Sequence, residues 1–483
     1  MDASFFFYDL ETSGFNPRQA RIMQFAGQRT DLNLKPIDDP VNKLIKLTPD
    51  VVPDVDAVLL TGITPQATLD GGLTERDFLL LFEESVSRPN TIFTGYNNIR
   101  FDDEFVRSIH YRNFYDPYEW QWQAGRSRWD LLDVVRMMRA LRPEGVKWPF
   151  ANDGSPTNRL GSMSALNKLD HAHAHDALSD VNATIALAQL VRTHQPKLFN
   201  YLLDMRGKKQ IAELVLSGEP FVYTSGKYPS EYEKTSVVVA LAKHPRRPGA
   251  LVFDLRFDPT PFKDLSAIEM AAIWRWQKEP VSPRLPVKTL RFNTSPAVAP
   301  LGVLDKASEE RLQLDIKLIK SHWLKLRKIE ADFIPKLLMA LDILDDEQQT
   351  SLALIEPDID SKLYDGFFSD KDRLVMQKVR NASAGELTSQ NFHFVDRRFS
   401  ELLPLYKARN FASNLSTTEQ IEWENYRNQK LLAGGDNSRL KKYFDRLEVV
   451  SQQSHLSDKE RYLLEELQLY GQSIMPNEMI DGA

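Results

Sequence analysis

The sequence predicts an α/β multidomain protein. Three observations predict it. The length of 483 residues fits about three domains at roughly 150 residues each. Strand patterns come first and then alternate with helical ones as far as about residue 195. Beyond residue 350 the pattern turns almost wholly helical. A hydrophobic fraction of 42% and a charged fraction of 27% match a globular chain and exclude a mainly disordered one, a collagen or a coiled-coil rod. Cysteine is absent, which excludes disulfides, thiolate metal sites and a cysteine nucleophile. The apolar burst near the start has no basic stretch before it and reads as a strand rather than a signal peptide. No run of about 18 apolar residues exists to span a membrane, so a soluble, cytoplasmic protein is expected.

Residues 4–12 and 20–34 alternate and carry β-favouring side chains, with a turn at Gly14–Pro17 between them, so they read as a hairpin. Thr91–Tyr96 is a short apolar strand. Phe101, Phe105 and Ile109 then sit at helical spacing within Phe101–Arg112. Leu131–Leu141 and Asp176–Val191 read as further helices. Phe221–Ser225, Ser236–Ala242 and Ala250–Leu255 are β-rich runs between Gly and Pro punctuation, which suggests a small barrel or sheet. Residues 308–344 read as one long helical stretch on the spacing of Leu312, Ile316, Ile319, Trp323, Leu326 and Phe333. Helices at about 415–431, 437–452 and 457–472 follow. The net charge of −6 is uneven: residues 201–350 hold 20 acids and 23 bases, against 26 and 21 before them and 21 and 17 after. A positive middle region leaves room for a nucleic-acid track or an acidic partner, whereas the acidic whole argues against a histone-like coat.

The sharpest local signal is Asp9-Leu10-Glu11-Thr12-Ser13-Gly14. Alternation on a strand puts Asp9 and Glu11 on one face, where two carboxylates repel. An acidic strand end at the surface would tolerate this. So would a divalent cation, and an all-oxygen set suits Mg²⁺ or Mn²⁺. A second element, Asn97-Asn98-Ile99-Arg100-Phe101-Asp102, opens a helix whose first turn carries Asp102, Asp103 and Glu104. The helix dipole and capping suffice for Asp103 and Glu104. Asp102, beside the core anchor Phe101, can aim back at Asp9. In the third element, His175-Asp176-Ala177-Leu178-Ser179-Asp180, Asp176 is a natural helix cap and Asp180 completes a set of four carboxylates. His175 stands as a general base for an attacking water. His171, His173 and His175 also alternate as in some zinc sites, but no fourth nitrogen or sulfur ligand accompanies them.

Taken together, a carboxylate pair on a first strand, an Asp after an N-x-x-F segment and H-x-x-x-x-D at a later helix resemble the DEDDh 3′→5′ exonucleases. Longer blocks narrow the resemblance to the bacterial exodeoxyribonuclease I family: Tyr96 to Glu104, Tyr111 to Tyr118, Ser127 to Asp133, Ala140 to Gly145, Leu363 to Asp370 and Tyr406 to Phe411. The resemblance implies an RNase H-like exonuclease domain over residues 1–198, an SH3-like β-barrel domain with long helices over 199–350 and a helical C-terminal domain over 351–483. It implies two Mg²⁺ per active site, with Mn²⁺ able to substitute, held by Asp9, Glu11, Asp102 and Asp180, and His175 as base. The implied activity is single-strand-specific hydrolysis of DNA from the 3′ end, processive, releasing 5′-mononucleotides, in DNA repair and recombination. The implied partner is single-stranded-DNA-binding protein, through its acidic C-terminal tail. A monomer is expected.

Substrate contacts are expected from Glu11, Thr12, Asn98, Arg100 and Phe101, which flank the carboxylates, and from Arg126, Arg128 and Trp129. Trp120, Trp122, Trp129 and Trp148 interleave with the two arginines, as a sequence-tolerant single-strand groove requires, although each Trp is as readily a core residue. Lys317, Lys320, Lys325, Arg327 and Lys328 form either a solvated helix face or a seat for the acidic tail. Two other functions fit parts of the pattern. A ribonuclease of the same superfamily differs in contacts to the 2′-OH. A catalytically silent DNA-binding adaptor would have no need of four carboxylates.

Overall fold

Strand β1 (Ser4–Thr12) is apolar on both faces, Phe5 and Phe7 on one and Phe6, Tyr8 and Leu10 on the other, as a strand covered on both sides must be. The computed structural model describes residues 2–169, 176–275, 283–353 and 358–476. In it, β1 is the middle of a five-stranded sheet of order β3-β2-β1-β4-β5. β2 (Ile22–Thr30) and β3 (Val41–Leu44) add antiparallel on one side, and β4 (Thr91–Gly95) and β5 (Ser127–Asp130) add parallel on the other. Helix α1 (Asp102–Arg112) covers the Phe6 and Tyr8 face with Phe105, Val106 and Ile109. Helices α2 (Leu131–Leu141) and α3 (Ala177–His194) cover the Phe5 and Phe7 face. Because β1, β4 and β5 run the same way, their C-terminal ends meet at one edge, where open α/β sheets place their sites.

A second sheet, entirely antiparallel, has the order β10-β6-β7-β8-β9: β6 (Phe221–Thr224), β7 (Thr235–Lys243), β8 (Gly249–Asp254), β9 (Val287–Arg291) and β10 (Ala297–Pro300). Helix α4 (Ile316–Ala353) packs on it, with the Phe333 ring edge-on to Phe253 at 6.3 Å. The single helical stretch expected over 308–344 is broken. A short helix ends at Arg311, Gln313 adopts φ +50°, and the Asp315 carboxylate accepts from the Lys317 amide at 2.8 Å to start α4. Leu312 and Leu314 are buried at this break, so core packing overrides the periodicity.

The last third contains α5 (Arg397–Asn410), α6 (Thr417–Leu432), α7 (Arg439–Ser451) and α8 (Asp458–Ser473). The last three begin behind serine caps, Ser416, Ser438 and Ser457. Glu419 and Glu460 complete capping boxes for α6 and α8. Two apolar clusters fasten these helices to the first sheet's surroundings, Val55 and Val58 against Leu440 and Tyr443, and Tyr111 and Phe114 against Phe399 and Tyr406. Between them lies a buried ionic group in which Arg409 and Lys430 each reach Asp50 at 2.7 Å. Among the described residues no helix is long and apolar enough to cross a membrane.

Candidate active site

The carboxylates converge at the C-terminal edge of the first sheet. Asp9 and Glu11 share the β1 face that α3 covers, and Asp180 stands in the first turn of α3. One oxygen from each of Asp9, Glu11 and Asp180 lies within 4.8 Å of the other two. Asp102, the first residue of α1, lies outside that group of three but acts on it through its charge. After burial, its charge is the largest influence pushing the Asp9 carboxyl well above its ordinary value. Burial first, then Asp9 and Asp180, push Glu11 up to about 9. Burial also raises Asp102, with Asp103, Asp130 and Glu11 adding to it. Among the described residues no Lys or Arg pairs with Asp9, Glu11 or Asp102. A clustered, all-oxygen set, with Asp9 and Asp180 half-buried and Glu11 and Asp102 buried, fits a hard divalent cation.

The two adjacent aspartates divide their work. Asp103 is fully buried and accepts from the Tyr8 hydroxyl and from Arg128, with Arg107 at 3.7 Å. It ties α1 to β1 and β5. Glu104 pairs with Arg107 and accepts from Tyr364 of the C-terminal region. Asp102 has no such ion pair among the described residues, and its charge acts on Asp9.

Gln24 is a contributor that the sequence reading missed. It lies opposite Glu11 in the β1–β2 register. Its amide nitrogen donates to Asp176 at 3.1 Å and its oxygen accepts from the Ala177 amide at 3.4 Å, so it holds the start of the helix bearing Asp180. A glutamine within a strand gives no motif, and only the pairing register reveals it. His175 lies outside the described residues, as do His171 and His173.

The expected substrate contacts separate into groups. Phe101 is half-buried, its ring 5.0 Å from Phe105 and 6.5 Å from the exposed Phe15. Arg100 pairs with Asp133, and the Thr12 hydroxyl donates to the Gly14 carbonyl at 2.9 Å. Three of these residues lie in the core or away from the carboxylates. Trp129 is 1% exposed and packs between Phe5 and Phe199, in the core. Arg126 lies at the opposite, N-terminal edge of the sheet, about five residues or roughly 16 Å along the strands, where it donates to the Ser87 carbonyl at 2.8 Å. Asn98 is completely buried, its amide 3.5 Å from the Tyr8 hydroxyl. Arg128 bridges Asp103 and, at 2.7 Å, the Asn293 carbonyl of the second sheet. Lys317, Lys320, Lys325, Arg327 and Lys328 are all exposed on α4, where Lys325 pairs with Asp258 at 2.5 Å and Arg327 with Glu330 at 3.6 Å.

A separate cleft of about 420 Å³ opens where helix Pro196–Asp204 meets the Pro300–Val303 turn. Leu198, Tyr201 and Val303 line it, with Arg142 and Lys197 among its walls. Its residues come from three distant stretches, so no motif announced it.

A mixed sheet with three carboxylates gathered at one edge and the charge of a fourth acting on them, followed by an SH3-like domain and a helical one, fits a metal-dependent exonuclease. Family models described as Exonuclease, Exonuclease I SH3-like domain and Exonuclease I C-terminal domain match residues 6–188, 206–341 and 357–474. The chain belongs to the exodeoxyribonuclease I family. It is 41% identical to exodeoxyribonuclease I of Haemophilus influenzae over 437 residues, 89% of this chain and 91% of that one. A solved exonuclease I from Methylocaldum szegediense superposes with a TM-score of 0.90 at 42% identity, covering 98% of this chain and all of that one. Escherichia coli exonuclease I in complex with a dA16 oligonucleotide gives 0.90 at 36%, with the same coverage. An SSB/exonuclease I structure with an inhibitor gives 0.88 at 36%, again covering 98% and 100%.

Proposed function

We propose that the chain is a single-strand-specific 3′→5′ exodeoxyribonuclease that releases 5′-mononucleotides processively in DNA repair and recombination. The observation that carries this reading is the convergence of Asp9, Glu11 and Asp180 within 4.8 Å, with Asp102 beside them, in a chain of this family. In this reading Asp9, Glu11, Asp102 and Asp180 hold two Mg²⁺, for which Mn²⁺ can substitute. When bound, such ions supply Lewis-acid stabilisation of the phosphate and a water activated near neutral pH. The chain's own part is rigidity. β1 is hydrogen-bonded on both sides, and Gln24 fixes the helix bearing Asp180. His175 accepts the proton of the attacking water. Phe101, beside the exposed Phe15, offers an aromatic surface against the terminal base.

The domains are taken as 1–198, 199–350 and 351–483, and the chain as a monomer. The DNA complex of the E. coli relative supports single-stranded DNA as substrate. The SSB/exonuclease I structure supports that protein as partner. Its acidic tail finds apolar walls together with Arg142 and Lys197 in the cleft at Tyr201, while the α4 cations add long-range attraction.

The test is digestion of a 3′-labelled oligodeoxynucleotide and of its RNA counterpart, with Mg²⁺ and with EDTA. Label is released from DNA only with the metal. Equal rates on RNA would move the reading to a ribonuclease, and binding without release would make the chain an adaptor.

A further inference from the structure

Next to the carboxylate strand lies a second cleft of about 410 Å³, within the roughly 300–1,000 Å³ usual for small-ligand sites. One wall is the turn from Ser13 to Ala20 that follows Glu11 and Thr12. The other is α7 of the C-terminal region, and Val52 and Pro53 form an apolar floor. Ser13 follows Glu11 by two residues, roughly 7 Å of strand. The cleft therefore opens close to the end of the strand that carries Asp9 and Glu11.

Its chemistry is uneven in an informative way. α7 presents Arg439, Lys442 and Arg446 to it. Arg446 is committed to Asp56, with bonds of 3.0 and 2.6 Å. Arg439 and Lys442, three residues apart and so on one helix face, have no carboxylate or hydrogen-bond partner among the described residues. Across the cleft the Phe15 ring is 69% exposed, in a turn whose Asn16, Arg18 and Gln19 are exposed as well. The side-chain amide of Gln19, also a lining group, is unbonded among the described residues. Asp54 also lines the cleft, its carboxylate accepting from the Asp56 amide at 3.1 Å as a helix cap. Two unpaired cations, an open aromatic face, an amide and an apolar floor meet, in order, a phosphate, a base face, a base edge and a sugar.

We propose that this cleft is a metal-independent site for a 5′-deoxymononucleotide, the product of the reaction, held by Arg439 and Lys442 through its phosphate and by Phe15 through its base. This rests on the reading that the chain releases 5′-mononucleotides. A product seated here occupies the space beside the strand tip, so accumulated mononucleotide slows digestion without competing for the metal ligands.

The test is calorimetric titration of the full chain with 5′-dAMP, deoxyadenosine, inorganic phosphate and a short acidic peptide, with Mg²⁺ and again in EDTA. Saturable dAMP binding persists in EDTA, and deoxyadenosine binds about tenfold more weakly or worse for want of the phosphate. Arg439→Gln with Lys442→Gln weakens dAMP binding by about tenfold or more, and Phe15→Ala weakens it independently of those cations. In digestion assays the inhibition constant for added dAMP rises in parallel with the binding constant. No saturable binding in EDTA, binding indifferent to Arg439→Gln/Lys442→Gln, or occupancy by the peptide in place of dAMP overturns the proposal. The same preparations are assayed on labelled oligonucleotide. Active digestion without dAMP binding removes only this site, whereas absence of digestion removes the nuclease reading itself.

Discussion

The guanidinium of Arg21 lies 2.5 Å from the carboxylate of Asp360, a residue 339 positions further along the chain. Both are buried. The same Arg21 exchanges backbone bonds with Ser13, its amide donating to the Ser13 hydroxyl and its carbonyl accepting from the Ser13 amide, each at 2.8 Å. The C-terminal region is thereby anchored directly behind the turn that ends the carboxylate strand.

Asp360→Ala leaves Arg21, Arg409 and Lys430 buried with too few carboxylates, and is expected to cost about 3–5 kcal/mol. Urea unfolding of the full chain measures it, and a loss under about 1 kcal/mol would mean that the cations find other partners. Burial alone would raise Asp50 and Asp360, but Arg409, Lys430 and Arg21 hold both well below the ordinary value. Their folded values are depressed, so the stability they give is complete above the ordinary carboxylate pKa of about 3.9 and is lost as pH falls below it. Thermal scans across that acid range should show the C-terminal helices releasing first.

Asp9→Asn should abolish digestion and raise the melting temperature in EDTA. The wild-type carboxylates are crowded without a cation, and burial with Asp102 and Asp180 raises Asp9. An amide in its place carries no charge at any pH, so the repulsion that ionisation of Asp9 would bring never arises. A variant that is both inactive and less stable in EDTA contradicts this account.

Metal binding should release protons. Without metal, Glu11 holds its proton up to about 9. A divalent ion needs the ionised form, so apparent metal affinity climbs from neutral pH towards 9 and levels off above it. For stability the sign is opposite. A raised carboxyl contributes most at low pH, and the metal-free chain loses that contribution as pH rises through the folded value. Calorimetry in two buffers of different ionisation enthalpy counts the protons released per ion.

Asp102→Asn and Asp103→Asn should part company. The first removes a carboxylate facing Asp9 and suppresses metal-dependent cleavage with little loss of stability. The second takes the charge from the bridge between Arg128 and Arg107 and lowers stability by about 3 kcal/mol or more. Melting temperature and cleavage rate, measured on both, separate the roles, and identical behaviour would undo the division.

Trp129→Leu should lower stability by about 2 kcal/mol or more through core loss beside Phe5 and Phe199, while single-strand affinity at fixed salt stays unchanged. A selective loss of DNA binding would return Trp129 to the groove.

The elements legible in the sequence were those with long periodic patterns. β1 and α2 fall where the spacing put them, and the three final helices within two residues of it. The short strands β3, β5, β9 and β10, four or five residues each, carry too little pattern to be seen. Asp9, Glu11, Asp102 and Asp180 were readable because each stands in an unusual local string. Gln24, Asp360 and the cleft at Arg142 were not, because each works through partners brought close only by folding. The places of Trp129 and Arg126 were hidden for the same reason: composition reports the residues but not which face or end of the sheet they occupy.

β1 pairs with β2 through Thr12 but with β4 only from Ser4 to Phe7, so Asp9 and Glu11 hang from a strand held along one flank and anchored at its base on the other. Asp102 and Asp180 stand instead on the first turns of two separate helices. Such a half-fixed cradle discriminates by ionic radius: a cation as large as Ca²⁺ can be captured by the yielding side yet sit displaced from the unyielding one, and would block turnover while still shielding the acids.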